Sequence, residues 1–207
     1  MLTLSKVFEM PFLATAGTEA TFFERIGVFL PPLSPQYKEI KRAYDYATDA
    51  FKTVERADGS NYFEHLRAVA LIVLEYLRVR DYELIVAALL HDIVEDCPEW
   101  TVERVQAEFG ERVALLVEYM TKPHAATKEQ SEYIYHERFQ QAPREFFILK
   151  MADRLHNLLT LDAHPEEKRR RKIEETEKYY LPYAEKHLIL VHELEASIKA
   201  AKQLESN

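Results

Sequence analysis

The sequence predicts an all-α fold built as a single domain. Glycine occurs only 4 times in 207 residues, so the tight turns that join strands are scarce. No segment alternates apolar and polar residues between turn signals, as half-buried strands do. Apolar residues recur three and four apart instead, the spacing of a buried helical stripe.

Residues 1–34, which end in FLPPLSP, read as an N-terminal arm or irregular lead-in, with the helical domain expected over 35–207. Ser34 can cap and Pro35 can open the first long helix, because proline has no N–H to waste at that position. Leu66, Val69, Ala70, Val73, Leu74 and Leu77 mark the buried face of the next. A helix is expected over 81–94, after which Pro98 hinders continuation. Thr101 can cap its successor, and Gly110 offers the left-handed conformation that commonly ends one. Further helices are expected at 111–121, 128–141 and 144–161. The stretch HPEEKRRRKIEETEKYY carries both charge signs at helical spacing, the pattern of a solvated face rather than a nucleic-acid patch. A last amphipathic helix follows Pro182, with Leu188, Val191, Leu194 and Ile198 turned inward.

Composition narrows the function classes. With 47% hydrophobic and 12% aromatic residues the chain can bury one sizeable core. Thirty-five Asp and Glu against 27 Lys and Arg give a net charge of −8, which argues against the broad phosphate footprint of DNA and RNA binders. No uninterrupted apolar stretch approaches the roughly 20 residues of a membrane helix. Glu9 and Pro11 interrupt the mildly apolar N-terminus before a signal-like segment forms. Cys97 is the only cysteine, so neither a disulfide framework nor a thiolate metal cluster is available. A cytoplasmic protein is expected.

The chemistry is concentrated in three segments. In ALLHDIVEDC an apolar run meets His91, Asp92, Glu95 and Asp96; on an unbroken helix His91 would stack with Glu95 and Asp92 with Asp96. Taken alone, that is what a helix reaching solvent looks like. FFILKMADRLHNLLTL puts Lys150, Asp153, Asn157 and Thr160 on one stripe, with His156 at its margin and apolar residues opposite. Asp, Asn and Thr are short side chains, better suited to lining a cavity than to open water. In YFEHLRAVALIV, His65 begins an apolar helix, where a lone histidine is more often a hydrogen-bonded core residue than a ligand. Together His65, His91, Asp92 and Asp153 supply two imidazoles and two carboxylates from three helices. That set suits a single divalent ion such as Mn²⁺ and is also open to Zn²⁺ or Fe²⁺. Glu95 and Asp96 would then stand beside the metal, placed to position water and move protons.

These three segments, read with the run AALLHDIVEDCPEWTVERVQAEFGERVALLVEYMTK, resemble the HD hydrolase domain of the RelA/SpoT-type alarmone enzymes. KIEETEKYYLPYAEKH is similar to the same family's downstream helix, and the resemblance covers residues 45–187. It implies an all-α HD-domain phosphohydrolase fold and Mn²⁺-dependent removal of the 3′-pyrophosphate of (p)ppGpp, giving GDP or GTP and pyrophosphate. Carried over by position, His65, His91, Asp92 and Asp153 match the metal ligands, and Glu95 and Asp96 match the pair assigned to water activation and proton transfer. Asn157 and Thr160 match residues near the sugar and 3′-phosphates, Tyr62 an aromatic at the pocket wall, and Arg56 a basic residue that packs on the guanine. The chain departs from the family at Phe51, where histidine is usual, at Ala57, often lysine, and at Leu66, commonly proline.

An acidic chain that holds a polyanion needs local positive charge. Lys150 and Arg154 flank Asp153 and are expected to meet substrate phosphates together with Arg56, although a structural ion pair is an equal reading for Arg154. The expectation is a stand-alone small alarmone hydrolase that acts on a nucleotide and binds neither DNA, RNA nor membrane. Two alternatives stay open. One is an HD-type phosphohydrolase for another nucleotide, such as (p)ppApp or NADPH. The other is a non-catalytic module that binds an alarmone or a toxin-type alarmone synthetase.

Overall fold

The computed structural model describes residues 10–15 and 17–205. Helices are the regular elements of these residues, joined by turns and loops, and the one β-type pairing among them is an isolated bridge between Glu55 and Asn61. In order, the helices are α1 (Pro11–Thr15), α2 (Glu19–Gly27), α3 (Pro35–Ala50), α4 (Phe63–Leu71), α5 (Tyr82–Leu90), α6 (Ile93–Asp96) and α7 (Val102–Phe109). They continue as α8 (Glu111–Met120), α9 (Lys128–Arg138), α10 (Arg144–Leu159), α11 (Glu166–Glu175), α12 (Leu181–His187) and α13 (Val191–Glu205). π-helical turns extend α4 through Tyr76 and bridge α11 to α12 over Thr176–Tyr180.

The helix starts follow local chemistry. Ser34, Thr101 and Thr127 each accept a hydrogen bond from a backbone N–H in the first turn of the helix they cap, and Asp81 accepts two. Gly110 separates α7 from α8 at φ 89°, as expected for glycine, but with ψ 168°, so it reverses the chain in an extended rather than a left-handed helical conformation.

Three further expectations are corrected. Within residues 10–34 the chain is not an irregular lead-in: α1 and α2 form there, while residues 1–9 lie outside the described part. Thr18 caps α2 reciprocally with Thr21, and Phe22, Phe23 and Ile26 are buried, with Phe22 and Phe23 packed on Tyr44 of α3. Leu188 faces outward, not inward. It stands just after α12 at φ 54° and is 84% exposed, because the reversal into α13 occurs there. The third correction is the helix expected over 81–94. It ends at Leu90, Asp92 leaves the helical conformation at φ −104° and ψ 0°, and α6 is a single turn.

Three helices are buried on nearly every face. All of α4 except Glu64, α5 from Leu84 to Leu90, and α10 from Phe146 to Leu155 are enclosed. α10 crosses the middle and packs on α4, α5, α8, α12 and α13. Each buried Leu, Ile, Val or Phe side chain contributes about 1.5–3 kcal/mol, so this core holds the backbone of α4, α5 and α10 rigidly.

Candidate metal centre and its cationic cavity

The three buried helices meet at three polar side chains. His65 of α4, His91 at the C-terminus of α5 and Asp153 of α10 are all buried, and one ligand-type atom from each lies within 4.8 Å of the others. His65 Nε2 is 3.2 Å and His91 Nε2 3.9 Å from Asp153 Oδ1. Asp92 joins through Oδ2, which is 3.0 Å from His91 Nε2 and 3.8 Å from His65 Nε2. The helix break makes this convergence feasible. Adjacent residues on an unbroken helix project about 100° apart and do not face one target. Asp92 turns out of the helix and its carboxylate swings back beside His91.

Each ligand-type residue is oriented from behind. His91 Nδ1 lies 2.8 Å from the Ala88 carbonyl, so that nitrogen carries the proton. His91 Nε2 is buried without an aligned hydrogen-bond partner and is left facing the cluster. Asp153 accepts from Lys150 Nζ at 3.0 Å on Oδ2 and from Asn157 Nδ2 at 2.5 Å on Oδ1. Tyr62 donates its hydroxyl to Asp92 Oδ2 at 2.8 Å, and the Nδ1 atoms of His65 and His156 are 2.8 Å apart. Burial works against every charge here, yet Lys150 and His65 hold Asp153 well below the usual carboxylate range. The Asp92 and Asp153 carboxylates likewise outweigh burial at His91 and raise its pKa. Once free of their protons, the two buried Nε2 atoms beside carboxylates would form a donor set of two nitrogens and hard oxygens. This set fits a divalent ion, including one of the borderline-to-hard kind.

Glu95 and Asp96, on α6, remain exposed beside the cluster. The Glu95 carboxylate accepts the Lys122 N–H at 3.1 Å, which fixes its direction. Partial burial, followed by the carboxylates of Asp92 and Glu95, raises the Asp96 pKa to about 6.

A cavity of about 360 Å³ opens next to the cluster, within the usual size range of small-molecule sites. Arg56, Tyr62 and Asn157 line it, joined by Lys168, Arg171 and Lys172 of α11. Arg56 is presented by a tight loop in which Asp58 accepts the Ser60 N–H and hydroxyl and Gly59 takes φ 82°. Its guanidinium donates to Thr160 Oγ1 at 2.9 Å and lies 5.8 Å from the Tyr62 ring centre.

The two cations expected to meet substrate next to Asp153 sit elsewhere. Lys150 is enclosed between Asp153 and the rings of Tyr135 and Tyr180, 5.3 and 5.8 Å from its Nζ, and does not line the cavity. Arg154 lies over Tyr180 at 3.7 Å and donates to Glu175 at 3.2 Å, the structural ion pair that was the equal reading. Burial alone would raise Glu175, but Arg154 and Lys172 hold it at about 2. The sequence reading missed Lys168, Arg171 and Lys172 by taking α11 as a solvated face. Their spacing of three and four residues, which puts them on one side of the helix, was the available signal. Burial and the neighbouring Arg154 charge depress Lys172 to about 8.

Comparison with known proteins gives concordant results. The HD domain family matches residues 43–189. The bifunctional (p)ppGpp synthase/hydrolase SpoT of Escherichia coli K12 is 34% identical over 180 residues, covering 84% of this chain and 25% of the relative. The guanosine-3′,5′-bis(diphosphate) 3′-pyrophosphohydrolase of Aquifex aeolicus VF5 is 38% identical over 154 residues, 72% of this chain and 22% of the relative. The chain therefore spans about a quarter of the length of these curated relatives. Among solved structures, a metazoan ortholog of SpoT described as hydrolysing ppGpp superposes with a TM-score of 0.69 at 23% identity. The match covers 78% of this chain and 94% of that one and concerns the fold.

Proposed function

The chain belongs to the HD domain family, and on that footing we propose that it is a metal-dependent hydrolase removing the 3′-pyrophosphate of (p)ppGpp to give GDP or GTP and pyrophosphate. One observation carries the proposal: a buried His65–His91–Asp153 cluster opens beside a cavity lined with cations in a chain of net charge −8. The sequence similarity to enzymes named for this reaction supports it.

His65 Nε2, His91 Nε2, Asp153 Oδ1 and Asp92 are the atoms and residues that would hold the ion, with Mn²⁺ suited to the mixed nitrogen and oxygen set. When bound, such an ion polarises a phosphoryl oxygen and makes water a usable nucleophile near neutral pH. The chain's own groups do the rest. Glu95, held by the Lys122 N–H, orients water at the mouth of the site. Asp96, with its pKa raised to about 6, can hold a proton and release it near neutrality. Arg56 offers its guanidinium plane to the base, and Asn157, with Lys168, Arg171 and Lys172, faces the sugar and phosphates. A nucleotide substrate goes with the cytoplasmic location expected from the sequence.

The test is a substrate panel with metal-stripped protein reconstituted with Mn²⁺, Zn²⁺ or Fe²⁺. Pyrophosphate release from ppGpp, greatest with Mn²⁺ and abolished by chelator, is the expected result. Activity that survives full metal removal overturns the metal-dependent reading. Turnover of ppApp or NADPH with ppGpp inert moves the substrate assignment, and no turnover of any nucleotide makes the chain a binding module.

A further inference from the structure

We propose that His156 is a positioning residue that sets the tautomer of His65, so that metal binding requires both rings to exchange tautomers together. This rests on the metal centre proposed above and concerns how that centre is prepared. The two Nδ1 atoms are 2.8 Å apart, and a contact that short between ring nitrogens holds one proton. His65 Nε2 faces the cluster, 3.2 Å from Asp153 Oδ1 and 3.8 Å from Asp92 Oδ2.

Two arrangements satisfy these distances. In the metal-free protein, His65 carries its proton on Nε2 and donates a hydrogen bond from it to Asp153, which leaves His65 Nδ1 as an acceptor. His156 must then donate from its own Nδ1. With a metal at the cluster, His65 Nε2 has to present a lone pair, so its proton sits on Nδ1 and is donated to His156 Nδ1. His156 must then carry its proton on Nε2. Each ring keeps one proton throughout; only the positions change. A carboxylate or carbonyl behind a metal histidine accepts in one way only. His91 has such a partner in the Ala88 carbonyl, so one imidazole is fixed and the other is switchable. His156 lies on α10, three residues after Asp153, so the helix that brings the carboxylate also brings the partner of His65.

The test uses the full chain labelled with ¹⁵N at histidine, compared metal-free and with Zn²⁺, alongside calorimetric Mn²⁺ titration of wild type, His156→Phe and His156→Asn. In wild type, Zn²⁺ should move the His65 proton from Nε2 to Nδ1 and the His156 proton from Nδ1 to Nε2. His156→Phe removes the acceptor and should weaken Mn²⁺ binding about 10- to 100-fold. His156→Asn, whose side-chain carbonyl can accept, should recover much of the loss. Unchanged Mn²⁺ affinity in His156→Phe, or the same His156 tautomer with and without Zn²⁺, overturns the proposal while leaving the metal centre intact. If neither variant folds, the wild-type ¹⁵N spectra decide alone. A wild type that binds neither metal overturns the centre and this proposal with it. Turnover is not measured, so the identity of the nucleotide does not affect the outcome.

Discussion

Tyr62 donates its hydroxyl to Asp92 Oδ2 over 2.8 Å while its ring stacks on Phe51, with centroids 5.0 Å apart and planes 17° from parallel. The residue that departs from the usual family histidine thus braces the one that holds a cluster carboxylate. Tyr62→Phe keeps the stack and removes the hydrogen bond. Bonds to charged groups contribute about 1.5–3 kcal/mol, so kcat/KM should fall about 10- to 100-fold with little change in Tm. Wild-type kinetics in this variant would show that Asp92 needs no support.

Metal loss and loss of chemistry should be separable. Asp153→Ala is expected to lose bound metal by elemental analysis, and also stability, because it leaves Lys150 buried without its partner. Glu95→Gln should keep the metal and slow turnover by about 10²-fold or more, the scale of a lost general acid or base. Equal metal loss in Glu95→Gln would make Glu95 a ligand.

Lys150→Met separates the two positions considered for this side chain. Buried against Asp153, it should leave KM near the wild-type value and lower the stability of metal-free protein by about 3–5 kcal/mol, the cost of breaking a buried pair. Mn²⁺ should reduce that loss by taking over the neutralisation of Asp153. A raised KM with unchanged Tm would instead put Lys150 on the substrate.

The depressed pKa of Lys172 gives a pH signature. Its charge is present below about 8 and lost above it, so KM for a polyanionic nucleotide should rise as pH climbs through that value. In Lys172→Met, KM should already be raised about 10-fold at pH 7, the scale of one charge-assisted hydrogen bond, and that step should be gone. A wild-type KM that stays flat across pH 7 to 9 would remove Lys172 from the phosphate site.

Leu188 offers a stabilising change remote from the cluster. Its φ of 54° closes α12 through an Ile189 N–H bond to the Ala184 carbonyl at 3.0 Å, a position that favours glycine. A left-handed leucine costs about 1–2 kcal/mol. Leu188→Gly should therefore raise chemical-denaturation stability by about 1 kcal/mol, and a loss of stability would mean that the exposed side chain makes contacts of its own.

The helical architecture was legible because caps and apolar stripes are local signals: Ser34, Thr101 and the run from Leu84 to Leu90 behave as their residue types dictate. The convergence of His65, His91 and Asp153 was legible from residue type and motif, and the structure brings them within one ion's reach. The break at Asp92 was not. The break sets the Asp92 carboxylate 3.0 Å from His91 and 3.8 Å from His65 of α4, and the tertiary part of that arrangement is not announced by the local sequence. For a similar reason the position of Lys150 was hidden and the two readings of Arg154 were left equal. A stripe along α10 says which side a cation leaves from, but Tyr180 and Glu175, arriving some 20 to 30 residues later, decide what it meets.

The cluster and the cavity differ in how freely they can change over evolutionary time. His65, His91 and Asp153 are rooted in the three most enclosed helices, where nearly any substitution disturbs packing and folding together. Lys168 and Arg171 stand on the outer helix α11, which buries only Ile173, and solvent-facing changes usually move stability by about 0.5 kcal/mol or less. Selection can therefore exchange these cations, and with them the charge pattern of the cavity, while the buried His65–His91–Asp153 cluster is inherited unchanged. Such a scaffold can vary the lining of its cavity by drift on one exposed helix.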